Sequence, residues 1–143
     1  MAIAWGLVVV VLSALAWGGQ AISWFAPRTA VRLSLTEAED AVEPTFHADV
    51  RGEALWDTLT LWVTVVAGAL LVAGSPAWPY FGLAGGAVYA YFAGRGLVTR
   101  RTMQRRGLRI GTDQDVRFGY LLLAAWGAMG LATAIAAAIT LAS

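Results

Sequence analysis

Three uncharged stretches set the pattern of the chain. Residues 2–26, 58–94 and 118–143 carry no formal charge, and polar sequence separates them. About 20 apolar residues cross the roughly 30 Å hydrocarbon core of a bilayer, so the first and third stretches each read as one spanning helix. Pro27 closes the first. The middle stretch is too long for one helix and suits two. Ser75-Pro76-Ala77-Trp78-Pro79 supplies the break, because neither proline can continue a helix. Each half is then about 18 residues, or about 27 Å. That is slightly short, so helix 2 is expected to start before Asp57 and helix 3 to run past Arg95. The reading is an all-α polytopic membrane protein, a single domain over residues 1–143 built as a four-transmembrane-helix bundle. The helices fall at about 2–26, 52–75, 77–98 and 117–142, with polar loops at about 27–51 and 99–116.

The loops carry patterns of their own. Thr36-Glu37-Ala38-Glu39 has the spacing of a capping box and predicts a short acidic helix that Pro44 ends. Ala30, Val31, Leu33 and Leu35 fit residues 28–35 to the membrane interface. Arg100, Arg101, Arg105 and Arg106 repeat at helical spacing, which extends helix 3 out of the membrane as a basic stalk. Phe25-Ala26-Pro27-Arg28 resembles Phe92-Ala93-Gly94-Arg95, and Asp49-Val50-Arg51 matches Asp115-Val116-Arg117. The two matches agree on one register. Two readings stay open: a parallel repeat of two helical hairpins, or coincidence in an Ala- and Arg-rich chain.

Charge turns this pattern into a topology. All ten basic residues and all nine acids lie in two segments, 28–57 and 95–117. The first holds three Arg and seven acids, the second seven Arg and two Asp. In a four-pass bundle both segments share one face. The positive-inside rule makes that face cytoplasmic, in the inner (cytoplasmic) membrane, with both termini and the Pro76/Pro79 turn outside. Trp78 and Tyr80 fit an outer aromatic belt, and Trp24, Trp56 and Tyr91 an inner one. The first uncharged run lacks a basic leader and is too long for a signal peptide, so a retained helix is expected. The oppositely charged loops should touch, residues 37–43 against 100–109. Arg100, Arg101, Arg105, Arg106 and Arg109 are candidates for that contact or for lipid headgroups.

Composition removes several chemistries. The absence of cysteine excludes disulfides and thiolate nucleophiles. The single histidine, His47, sits in a wet loop, so no zinc, haem or other cofactor is expected within one subunit. No Ser/His/Asp order, HExxH or phosphate-binding glycine pattern occurs, so no catalytic residue is assigned. A loop this short, tethered to a membrane, holds no nucleic-acid reader.

What remains is a candidate polar site at the charged face. Glu53, Asp57, Thr60 and Thr64 share one face of helix 2. They read either as a hydrophilic pocket or proton path, or as interfacial carboxylates with threonines bonding their own backbone. Arg95, one turn after Tyr91, is as far from Pro76 as Asp57 is, and an Asp57–Arg95 ion pair is expected. Gln20, the only amide in the predicted spans, is placed to join them. Gly82, Gly86, Ala90 and Gly94 form a small-residue stripe for close packing, within the bundle or between subunits.

The stretches ALWDTLTLW (54–62) and WPYFGLAGGAVYAYFAGR (78–95) resemble those of small uncharacterised bacterial four-helix membrane proteins. That resemblance covers helices 2 and 3 and implies the architecture but no activity. By topology alone the chain is also similar to the membrane-associated eicosanoid and glutathione metabolism family, which carries Arg, Asn and Glu on its second helix. Arg51, Glu53 and Asp57 stand here, but Leu55 stands where the Asn falls, which argues against glutathione binding. That likeness implies a trimer with sites between subunits. Together these readings favour an accessory, scaffold or binding subunit, whose partners are the bilayer and a homo-oligomer or larger complex. The alternatives are an oligomeric transporter or channel, and an interfacial enzyme acting on a lipophilic substrate beside Asp57, Tyr91 and Arg95.

Overall fold

The structure is a computed structural model and describes residues 2–143. It is all-α, 84% helical, with no strand among the described residues. Backbone polar groups are therefore paired within helices, as a bilayer interior requires. The chain forms α1 (Ala2–Phe25), α2 (Pro27–Arg32), α3 (Pro44–Thr60), α4 (Trp62–Val72), α5 (Trp78–Arg105) and α6 (Asp113–Ala142). Only Leu61 separates α3 from α4, and its N–H still bonds the Asp57 carbonyl at 2.9 Å.

Pro44 begins a helix where the sequence reading had it end one. At the first helical position its missing N–H costs nothing, and its fixed φ suits the turn. Helix 2 thus starts at Pro44 rather than near 52. This leaves little room upstream, and the expected acidic helix is a single 3₁₀ turn, Glu39–Ala41, with no side-chain cap. A true capping box forms at Thr112. Its hydroxyl accepts from the Asp115 N–H and the Asp115 carboxylate accepts from the Thr112 N–H, so α6 starts at Asp113, not 117. The basic stalk forms as expected, with α5 running to Arg105.

Glycine-lined contacts tie the helices into antiparallel pairs. A Cβ on Gly68 of α4 would lie 3.0 Å from the Gly6 carbonyl of α1. A Cβ on Gly86 of α5 would lie 2.5 Å from the Gly130 carbonyl of α6. Thr64 sits on Gly85, which seats α4 against α5. Gly82 and Gly86 therefore pack within the bundle, whereas Gly94, the end of the predicted stripe, faces open space. The core joins Val9, Leu61, Tyr89, Phe92, Leu123 and Met129. Two hydrogen bonds then reach α1 from the other pair: the Tyr89 hydroxyl donates to the Ser13 carbonyl at 2.9 Å, and Trp126 Nε1 to the Leu12 carbonyl at 3.0 Å.

These directions bring both charged segments to one end of the bundle. There Val42, Phe46 and Ile110 are buried together, flanked by Val50, Met103 and Val116. The loops do touch, through this knot and through backbone groups. The Glu43 N–H donates to the Arg109 carbonyl at 2.8 Å, and Arg109 donates to the Asp40 carbonyl at 3.1 Å. Among the described residues no ion pair within 4.0 Å joins residues 37–43 to 100–109; apolar burial and backbone bonds hold the loops together.

Three helices are long and apolar enough to cross a membrane: Ala2–Phe25, Pro44–Val72 and Asp113–Ala142. Trp78–Arg105 falls outside that set. It holds four arginines, and tyrosines and glycines replace aliphatic side chains.

Candidate amphipathic cleft at the charged end

α1 and α6 touch little, and the gap between them widens toward the charged end. Trp126, bonded to α1, closes its deep side. Below it lies a cavity of about 670 Å³. Its deep wall is apolar, with Leu15 and Ala16 of α1, Phe92 of α5, and Leu122 and Trp126 of α6. Its mouth is charged, with Glu37 and Arg109 from the two loops, Arg100 from the stalk and Asp115 from the start of α6. Gly19 and Gly119 leave the two helix faces bare, and a Cβ on either would meet nothing within 4 Å.

Arg100 lies in the wall with its guanidinium 5.6 Å from the Phe46 ring centroid. Its one hydrogen bond is a long 3.4 Å contact to the Gly96 carbonyl, a turn back in its own helix. Burial draws its pKa below the usual value, and Glu37 and Asp49 only partly oppose that. Burial likewise pushes the Glu37 carboxyl above its ordinary value, against the pull of Arg100. Neither side chain has an ion-pair partner within 4.0 Å among the described residues.

The expected polar site divides. Gln20 and Glu53 line the cleft with Arg100 and Arg109. Glu53 also borders a second recess of about 310 Å³ on the other side of α3, with Asp57, Tyr91 and Arg95. Thr60 joins neither. Its hydroxyl donates to the Trp56 carbonyl at 2.9 Å, as a membrane threonine does when it satisfies itself. Arg101, Arg105 and Arg106 are exposed on the stalk and line neither space.

Arg95 pairs with Asp49 at 2.6 Å and with Glu53, not with Asp57. The α4–α5 register explains this. Counting seven residues each way from the Thr64–Gly85 contact sets Asp57 level with Phe92, a turn short of Arg95. The long Arg95 side chain reaches outward instead, where the earlier start of α3 supplies Asp49 and Glu53 one turn apart. Asp57 is only 5% exposed, and its Oδ2 has no hydrogen-bond partner. Arg51 reaches the end of α1, where it donates to the Ser23 and Trp24 carbonyls and lies 4.8 Å over the Trp24 ring. It is a cation on a helix C-terminus, where the dipole favours it.

Ser23, Phe118, Trp126 and the two bare glycines were missed by sequence reasoning. They come from distant segments, and no spacing rule links them. The one usable signal was the complementary charge of the two loops, which placed Glu37 near Arg100. No protein-family profile, curated protein or solved structure matches this chain.

Proposed function

We propose that this is a four-pass protein of the cytoplasmic membrane that holds an amphiphile in the α1–α6 cleft, acting as a lipid-binding accessory subunit rather than a catalyst. One observation carries the reading: the cavity runs from a charged mouth to an apolar wall along the bundle axis, the polarity profile of a lipid in its leaflet. Its volume falls within the roughly 300–1,000 Å³ range of small-molecule sites. α5 is taken as the fourth span because it packs antiparallel between α4 and α6, with its arginines at the charged end. The arginine-rich end faces the cytoplasm by the positive-inside rule, which leaves both termini outside. A reporter fused at Ser143 that is active only in the cytoplasm, and is found active, would overturn this orientation.

The cleft is tested by filling it. A Gly19→Phe, Gly119→Phe double variant adds rings toward open space and should fold normally. Native mass spectrometry of protein released from gentle detergent should show a bound lipid mass on the wild type and none on the double variant. An equally occupied double variant, or a bare wild type, would sink the reading. The transporter alternative has lost its main support, since the helix 2 polar stripe breaks at Thr60 and its deeper members are packed against α5.

A further inference from the structure

We propose that the cleft selects a zwitterionic amphiphile, with a phosphate at Arg100 and a primary ammonium between the Glu37 and Asp115 carboxylates. This rests on the amphiphile-binding reading and adds the headgroup class.

The argument is one of uncommitted charge. Among the described residues, ion pairs within 4.0 Å involve Arg95 and His47 only. Arg109 is turned to the Asp40 carbonyl. Arg100, over Phe46, lines the cleft with no carboxylate within 4.0 Å among the described residues, and its fork of five N–H donors makes only the long bond to Gly96. Such a fork suits a phosphate. At the same mouth two carboxylates, Glu37 of the first loop and Asp115 of the first turn of α6, flank Gly111. A Cβ there would lie 3.4 Å from Glu37 Oε1 and 3.5 Å from the Asp115 Cβ. Gly111 has φ +124°, a backbone that side-chain-bearing residues rarely adopt, so the approach of the two acids is tied to glycine. Asp115 commits Oδ2 to the α6 cap, and its other oxygen is free. Glu37 is half-buried and Asp115 exposed, and two nearby acids at the cleft mouth favour a cation between them.

A phosphatidylglycerol headgroup would satisfy Arg100 through its phosphodiester but offers the two carboxylates only neutral hydroxyls, which make weaker hydrogen bonds than an ammonium. A net-neutral headgroup with separated charges meets both walls. A primary ammonium offers N–H donors to the carboxylates, which a quaternary one lacks. The acyl chains leave between α1 and α6, past Leu15 and Phe118, which are 65% and 59% exposed.

The test uses the full chain in vesicles of equal parts phosphatidylethanolamine and phosphatidylglycerol, with acyl-chain bromine on one lipid or the other. Trp126, in the cleft wall, is the reporter, and its emission is isolated by difference from Trp126→Phe. Bromine on phosphatidylethanolamine should quench it with about tenfold higher apparent occupancy, the scale of one added charge-assisted hydrogen bond. Glu37→Gln should abolish the preference between the two lipids. Arg100→Gln should weaken quenching by both lipids. Replacing phosphatidylethanolamine by brominated phosphatidylcholine should give the lower, phosphatidylglycerol-like value. Equal quenching by the two lipids, or a preference for phosphatidylglycerol, overturns the headgroup inference and leaves the cleft reading standing. Quenching by neither overturns both.

Discussion

α6 has two neighbours and treats them oppositely. Against α5 it lies so close that glycine backbones touch, Gly86 on Gly130. Against α1 it opens into a cavity of about 670 Å³, bridged on its deep side by Trp126. Both seams are rich in glycine. At the first, glycine removes a side chain so that two backbones can meet. At the second, Gly19 and Gly119 remove side chains and nothing moves in. Small residues by themselves therefore do not specify close packing; the facing helix does. Loop residues at the charged end line the space left between α1 and α6.

The sharpest way to break this comparison is to add one carbon to each seam. Gly86→Ala places a methyl 2.5 Å from a backbone oxygen and 2.7 Å from the Ala134 nitrogen. Neither can rotate away, so α6 must shift, at a cost of about 2–3 kcal/mol. Thermal melts in mild detergent should show that loss. Arg95→Ala comes next. It strands Glu53, whose side chain is 11% exposed, and Asp49, at 24%. The cost should be about 2 kcal/mol, between an exposed and a buried pair. A double-mutant cycle should couple Arg95 strongly to Glu53 and weakly to Asp57, and equal coupling would restore the pair the sequence pointed to.

The third change reverses the sign of the first. Gly119→Ala enters open space and removes the helix penalty of glycine, so it should stabilise by up to about 1 kcal/mol. Melting below wild type would show that the gap is not open. The smallest effect concerns Glu37. Its pKa lies above the ordinary 4.5 in the folded protein, because burial disfavours the charged form. The folded state then holds that proton more tightly than the unfolded one, and stability falls as pH rises through the ordinary value. Glu37→Gln should therefore melt slightly higher than wild type at neutral pH, and the gain should vanish below about pH 4. A gain that grows on acidification would invert the assignment.

Much of the scaffold was legible because uncharged length is a strong signal in a chain whose charges are clustered. The first helix was placed to within a residue, and the helix 2–helix 3 break and the stalk were found. Pro44 was misread because proline both ends helices and begins them, and only the chain after it decides which. The site was less legible. Arg95 was correctly given a carboxylate partner, but a residue count along two helices assumed equal depth from Pro76. The Thr64–Gly85 contact shifts that register by nearly a turn. Which helices stay apart is a property of four segments together, and no local pattern contains it.

The Trp126–Leu12 hydrogen bond spans 114 residues of chain. Ribosomes add roughly 5–20 residues per second, so α1 is complete roughly 5 to 20 s before the indole that will bond it has been made. Over that interval α1 has no α6 to lean on. Its one polar side chain in this region, Ser13, is already satisfied by the Val9 carbonyl at 2.5 Å, which leaves a helix content to wait in lipid. The cleft is therefore the last part of the molecule to exist. Its two walls are joined only when the final helix arrives, so on the membrane reading proposed above lipid already surrounds α1 on the side where the cavity will form. A molecule captured there at birth would not need to enter later.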